Sequence, residues 1–287
     1  MCRLPIMFVV SCVLVACSGA PEQEALLARG EYLVNGIVAC GNCHTPRNAD
    51  ATTNTDMRLA GGFVIEEPGF RAYAPNITQD HETGIGAWSD EEIMRAIREG
   101  VRRDGTIIGP PMPIPSYRGM SDSDVRAIVA YLRTVTPVRN SVPRSVFNFP
   151  LPEAWGQPLG TVPDVSRDDS LAYGTYLGNA LGHCMECHTP MVDGAFDFSR
   201  TGAGGMVFEK PLGLDIAAMA ANITPHPEQG IGSWTDDEIK RAIRQGISRD
   251  GRKLARIMAF DYYQNISDDD LDALIVYLRS MPPQPED

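Results

Sequence analysis

Thirty residues of this chain are written twice. Asn76 to Gly105 and Asn222 to Gly251 align without a gap at an offset of 146 and share 19 of 30 positions. The shared positions include Asn-Ile-Thr, Gly-Ile-Gly, Trp88 with Trp234, and Arg-Ala-Ile-Arg. Self-similarity of this extent means two copies of one unit, so the fold must be one that each copy can build by itself. Each copy runs to about 115 residues, the usual size of a single domain.

Just upstream a shorter motif repeats at an offset of 144: Cys40-Gly-Asn-Cys43-His44 and Cys184-Met-Glu-Cys187-His188. C-x-x-C-H is the pattern of covalent haem c attachment. Two thiols one helical turn apart reach the porphyrin vinyl groups, and the histidine that follows points its imidazole at the iron. The expected cofactors are therefore two covalently bound haems c, attached at Cys40, Cys43, Cys184 and Cys187, with His44 and His188 as iron ligands. A structural zinc needs four ligands, and each string supplies only two cysteines. A zinc shared by both strings would leave the two histidines without a role, and a thioredoxin-like pair needs a βαβ context that is absent.

Haem iron in an electron-transfer cytochrome c is usually held by that histidine and a methionine. Of twelve methionines, only Met112 and Met258 fall at the same place in both copies. Met112 sits in Gly109-Pro-Pro-Met-Pro-Ile-Pro115, where the prolines forbid helix and favour an extended strap. Met258, in Arg256-Ile-Met-Ala-Phe260, lacks those prolines. Core filling is the ordinary role of a methionine, so register is what singles these two out. His81 and His226 lie one register apart and read as exposed loop residues rather than as a bis-histidine pair. His183 directly precedes Cys184 and cannot turn back onto the same iron. Trp88 and Trp234, each with an indole N–H that needs a partner when buried, are candidates for a haem propionate, as are Asn76 and Asn222. Arg71 and Arg200 are weaker candidates because they do not align.

The chain opens with Arg3, a short apolar run from Leu4 to Ala16, and Cys17. The run is too short to span a bilayer and reads as the h-region of a signal peptide. Leu14-Val15-Ala16-Cys17 resembles the bacterial lipobox, so Cys17 is the expected lipidation site and several acyl chains there suffice for stable anchoring. The localisation expected is the bacterial periplasm, lipid-anchored to the membrane. With Cys2 and Cys12 removed in the signal, Cys17 lipidated and four cysteines on haem, none of the seven is left for a disulfide. Formal charge is −12, which argues against nucleic acid as a partner and favours steering toward basic proteins.

The organisation expected is a signal peptide at 1–16, a lipidated tether at 17–22, a first domain at 23–135, a proline-rich linker at 136–167 and a second domain at 168–287. Each domain reads as helix, haem string, irregular stretch, helix, Met loop, helix. Ser89-x-x-Glu92 and Thr235-x-x-Glu238 open the middle helices as capping boxes. Val125, Ile128, Val129, Leu132 and Leu271, Leu274, Ile275, Leu278 stripe the last helices at helical spacing. No strand pattern is evident, and the fold class expected is all-α.

These residues resemble class I cytochromes c, in which the first and last helices cross and a glycine in the first permits close approach. The string Asn-Ile-Thr, Gly-Ile-Gly, Trp, Asp-x-Glu-Ile, followed by the Met loop, is more specific. It is similar to the cytochrome c subunits of membrane-bound periplasmic dehydrogenases acting on alcohols, gluconate or aldehydes, several of which carry three haems against the two here. The resemblance covers nearly the whole mature chain. It implies two tandem cytochrome c domains and an electron-transfer protein with redox partners: a dehydrogenase catalytic subunit, another cytochrome or an oxidase. The alternative is a dihaem enzyme, peroxidase-like or oxidising thiosulfate or sulfite. That chemistry needs an open iron, whereas each copy has its own candidate methionine.

Overall fold

The computed structural model describes residues 19–48, 52–67, 69–208 and 217–285. Cys17 and the expected signal peptide lie outside these. Helix α1 (Gly19–Asn35) already begins within the expected tether. It is followed by α2 (Cys40–His44), the hairpin β1 (Val64–Glu67) and β2 (Phe70–Tyr73), α3 (Asp90–Glu99), α4 (Ile114–Tyr117) and α5 (Asp122–Leu132). The second half repeats the order after a connecting strand, β3 (Val146–Phe147). It runs α6 (Ser170–Tyr176) with a π-helical turn at Leu177–Leu181, α7 (Cys184–His188), β4 (Met191–Val192) and β5 (Ala195–Phe196). Then come β6 (Val207–Phe208), β7 (Ala218–Met219), α8 (Asp236–Gln245), α9 (Phe260–Tyr263) and α10 (Asp268–Ser280).

The all-α expectation is overturned. Among the described residues, seven short strands form three small sheets, and only 38% of those residues are helical. The strands escaped the sequence reading because they are two to four residues long and mostly exposed or half-buried, so no hydrophobic alternation marks them. Val64-Ile65 and Phe70 to Tyr73, on either side of Pro68-Gly69, carried a β-propensity cue that was too brief to weigh. Pairing also depends on residues far away: β3 adds to β2 in the register Phe70↔Phe147 and Arg71↔Val146.

Within each half the core lies where the first helix crosses the last. Leu33, Val34 and Ile37 meet Val125, Ile128, Val129 and Leu132, while Leu177 and Leu181 meet Leu271, Leu274, Ile275 and Leu278; all are buried. The crossing is close because Gly30 and Gly174 bear no side chain. A Cβ there would overlap the backbone carbonyl oxygen of Ala127 or Ala273. The capping boxes form as expected: Ser89 Oγ accepts from Glu92 N at 3.2 Å and Thr235 Oγ1 from Glu238 N at 3.2 Å. Gly100 and Gly246 end those helices in the left-handed conformation, at φ of 66° and 64°.

The halves are joined by an exchange of tyrosines. Tyr32 of α1 donates to Asp270 Oδ2 at 2.8 Å and takes the N–H of Ser267, at the start of α10. Its counterpart Tyr176 of α6 donates to Asp124 Oδ2 at 2.7 Å and takes the N–H of Ser121, at the start of α5. Such reciprocity relates the two halves by an approximate two-fold axis. Both acids are buried. Arg29 grips Asp124 through Nε and Nη2 at 2.7 and 2.9 Å, while Arg167 from the connecting segment holds Asp270.

Candidate haem site

The two-fold arrangement brings α2 and α7 together. All four cysteines, His44, His188, Met112 and Met258 line one cavity of about 1230 Å³ with largely apolar walls. Each string begins from a residue in the left-handed region, Ala39 at φ 51° and His183 at φ 40°, which starts a short helix sharply and stacks its two thiols on one side. Burial pushes the Cys40 and Cys184 thiols up to about 12 and Cys187 to about 11, and raises Cys43 as well.

The histidines are oriented by their other nitrogen. His44 Nδ1 lies 2.8 Å from Pro75 O and His188 Nδ1 lies 2.7 Å from Ala221 O. A carbonyl only accepts, so Nδ1 carries the proton and Nε2 keeps its lone pair, as a metal ligand requires. Burial lowers the pKa of both imidazoles, which keeps them neutral. The two methionines occupy matching turns despite the missing prolines: Ile114 N donates to Met112 O at 2.8 Å and Phe260 N to Met258 O at 2.9 Å.

The remaining sequence candidates divide. Trp88 and Trp234 are half-buried in the cavity wall, and their indole N–H groups have no partner among the described residues. Asn76 and Asn222 also border the cavity, but their side chains are consumed by the fold. Asn76 Nδ2 donates to Val138 O at 2.8 Å and its Oδ1 takes two bonds from Thr78; Asn222 treats Gln284 and Thr224 in the same way. Arg71 pairs with exposed Glu66, and Arg200 donates to Pro285 O; neither reaches the cavity. His81 is exposed, His226 caps its own loop, and both lie off the cavity wall.

Among the cavity residues that went unnoticed in the sequence are two tyrosines and an arginine. Tyr117 and Tyr263, one from each short helix after a Met loop, are a pair at the 146-residue offset. Burial raises both phenols, and so do nearby thiols; for Tyr263 those are Cys184, Cys187 and Cys43, which come from both halves. Arg102 enters the wall half-buried, donates to Ile107 O at 2.7 Å and makes no ion pair among the described residues; burial and then Arg144 lower its pKa. The tyrosines were legible by register, whereas Arg102 aligns with Ser248 and carried no signal. His183 and Glu186 face the other half: His183 stands edge-on to Tyr117, and Ser116 Oγ donates to Glu186 Oε1 at 2.6 Å.

These residues fit haem c. The thiols sit at attachment spacing, the imidazoles present a free Nε2, the walls are apolar, and Trp88, Trp234 and Arg102 offer donors for propionates. Residues 27–136 match the cytochrome c family. The chain is 30% identical to the diheme cytochrome c-type of Cereibacter sphaeroides over 85% of its own length and 82% of that protein's. It therefore belongs to the c-type cytochromes, which hold their haem covalently. It is also 34% identical to the cytochrome c subunit of the quinone alcohol dehydrogenase of Gluconobacter oxydans, over 92% of this chain and 56% of that subunit. Against the gluconate 2-dehydrogenase cytochrome c subunit of Pantoea cypripedii the identity is 32%, over 90% and 60% respectively. The chain thus spans little more than half the length of these dehydrogenase subunits.

Proposed function

We propose that this protein is a dihaem cytochrome c lipoprotein that passes single electrons at the periplasmic face of a bacterial membrane, as the electron-transfer subunit or partner of a dehydrogenase or respiratory complex. The observation that carries this reading is the shared cavity, into which both Cys-x-x-Cys-His strings open, each with its oriented imidazole and its methionine. Haem c, when bound, supplies one-electron exchange at iron. The protein's own residues do the rest. Pro75 O and Ala221 O hold the imidazoles in one tautomer, Met112 and Met258 offer thioethers, and the apolar walls exclude water. The dehydrogenase partner is suggested by the names of the relatives, and the membrane anchor by Leu14-Val15-Ala16-Cys17.

The test is to produce the full chain in a host that matures c-type haems, then weigh it and stain it for covalent haem. Two haems per chain are expected, and Cys43→Ala or Cys187→Ala should each lose stable attachment of one. A chain with one haem, or one unchanged by both substitutions, would falsify the dihaem reading. Cys17→Ser should leave a haem-loaded protein in the soluble fraction; if it stays on membranes without lipid, the anchor lies elsewhere.

A further inference from the structure

The two halves carry different charges around their Cys-x-x-Cys-His strings. Beside the first string, Arg47 donates through Nη2 to Asn42 Oδ1 at 2.9 Å, inside the string itself, and through Nη1 to Thr53 Oγ1 at 2.9 Å. Arg58 donates to Tyr131 OH at 2.9 Å and directly precedes Leu59, whose N–H donates to Thr45 Oγ1 at 3.1 Å next to His44. Arg102 stands in the wall of the cavity into which that string opens. All three arginines are half-buried, and none makes an ion pair among the described residues.

The matching places in the second half are neutral. Backbone bonds fix the register: Asn54 N donates to Pro46 O as Asp197 N does to Pro190 O. Leu59 N and Gly202 N then donate to Thr45 Oγ1 and Thr189 Oγ1. Arg47 therefore matches Met191, Arg58 matches Thr201, and Arg102 matches Ser248. Within the strings the difference has the same sense, since Glu186 stands where the first has Asn42. The thiols register this field. Burial raises all four, but Arg58 opposes it at Cys40 and Arg47 at Cys43, whereas Glu186 adds to it at Cys187. The other cations do not cancel the contrast. Arg144, Arg252, Lys253 and Arg256 reach the cavity from exposed positions, where solvent screens them, and Arg144 and Arg256 are paired with Asp104 and Asp261. Arg241, which donates to Ser248 O, has its match in Arg95.

We infer that Arg47, Arg58 and Arg102 make the first haem site the more oxidising of the two, so that electrons enter at the second half and leave from the first. A reduced centre carries one electron more than an oxidised one, and a nearby cation stabilises it, the more so when half-buried and weakly screened. The step moves one electron, oxidising one centre and reducing the other with no further reactant. The arginines act through their field and are positioning residues. The inference rests on the dihaem carrier reading and adds to it the direction of flow.

The experiment is a spectroelectrochemical titration of full-length holoprotein whose covalent haems have been counted. Two midpoints are expected, and Met112→Ala should lower the higher one, which assigns it to the first half. Arg47→Met, Arg58→Thr and Arg102→Ser install the second half's residues. Each should lower the higher midpoint by roughly tenfold in the exchange equilibrium between the haems, about 59 mV for one electron, and leave the lower one in place. Arg102→Lys keeps the charge without the guanidinium and should hold the higher midpoint. Ser248→Arg should raise the lower one, and it reads the same effect in a half whose own contacts are intact should an arginine variant lose haem. A higher midpoint that answers to Met258→Ala instead, or midpoints indifferent to the arginine variants and to Ser248→Arg, overturns the inference. So does an Arg102→Lys protein that loses as much as Arg102→Ser, because the arginine then serves as a structural bond rather than a charge. A chain with one haem sinks the dihaem reading and this inference together; two haems in the reverse order sink this inference alone.

Discussion

At the scale of single residues, two kinds of position dominate. The helix-crossing glycines leave no room: Gly30→Ala or Gly174→Ala must push two helices apart against a backbone oxygen, a cost of about 1–3 kcal/mol or more. Gly160→Ala, with nothing within 4 Å, should leave denaturant unfolding within about 0.5 kcal/mol of wild type. Equal effects at Gly30 and Gly160 would sink the close-crossing account. The methionines test ligation. Met112→Ala should open the first haem to added cyanide or imidazole and lower its potential, because a thioether favours ferrous iron, and Met258→Ala should do the same at the second. If wild type already binds such ligands at either haem, that methionine is not the ligand. The two cysteines and the histidine of each half need no fold at all, since spacing names them; Arg102 needs the fold, because only the path of the loop after α3 turns it into the cavity wall.

Among the elements, the segment from Val146 to Trp155 has more influence than its irregular sequence suggests. Phe147 contacts Phe70 and Phe149 at centroid distances of 5.8 and 5.7 Å, and Trp155 covers Gly100 at the end of α3. Trp155→Ala removes that cover and leaves Ile108 O without its donor. Because the indole is only half-buried, the expected cost is about 1–3 kcal/mol, below the usual penalty for a core tryptophan. Urea unfolding monitored at the haem bands would measure it; a change under about 0.5 kcal/mol would mean the strap is decoration. This segment was legible as part of a proline-rich linker, but not as a strand. A two-residue strand has no periodicity, and its identity is conferred by the edge that receives it.

At the scale of the whole molecule, the tyrosine exchange decides whether the halves behave as one body. Tyr32→Phe takes a donor from buried Asp270, and Tyr176→Phe takes one from buried Asp124. Each should cost about 1–3 kcal/mol, less at Asp124, where Arg29 still bonds both oxygens. The double variant should split a single calorimetric transition into two, as the halves lose their common interface. A double variant that still melts in one step at the wild-type temperature would show that the interface is held by other contacts.

The sequence alone determined the chemistry and the repeat. Cysteine spacing, the following histidine and a methionine in common register are local or additive facts, readable because covalent attachment and iron ligation demand particular atoms at particular intervals. Caps and helix stripes were legible for the same reason, since a helix satisfies its backbone within its own turn. Tertiary structure alone decided that the two Cys-x-x-Cys-His strings share one cavity, that Asn76 and Asn222 are spent on the fold while the indole N–H groups of Trp88 and Trp234 have no partner among the described residues, and that short strands dress a fold expected to be helical. Those outcomes turn on pairing between residues tens to hundreds of positions apart, where each hydrogen bond has a partner that no local pattern names.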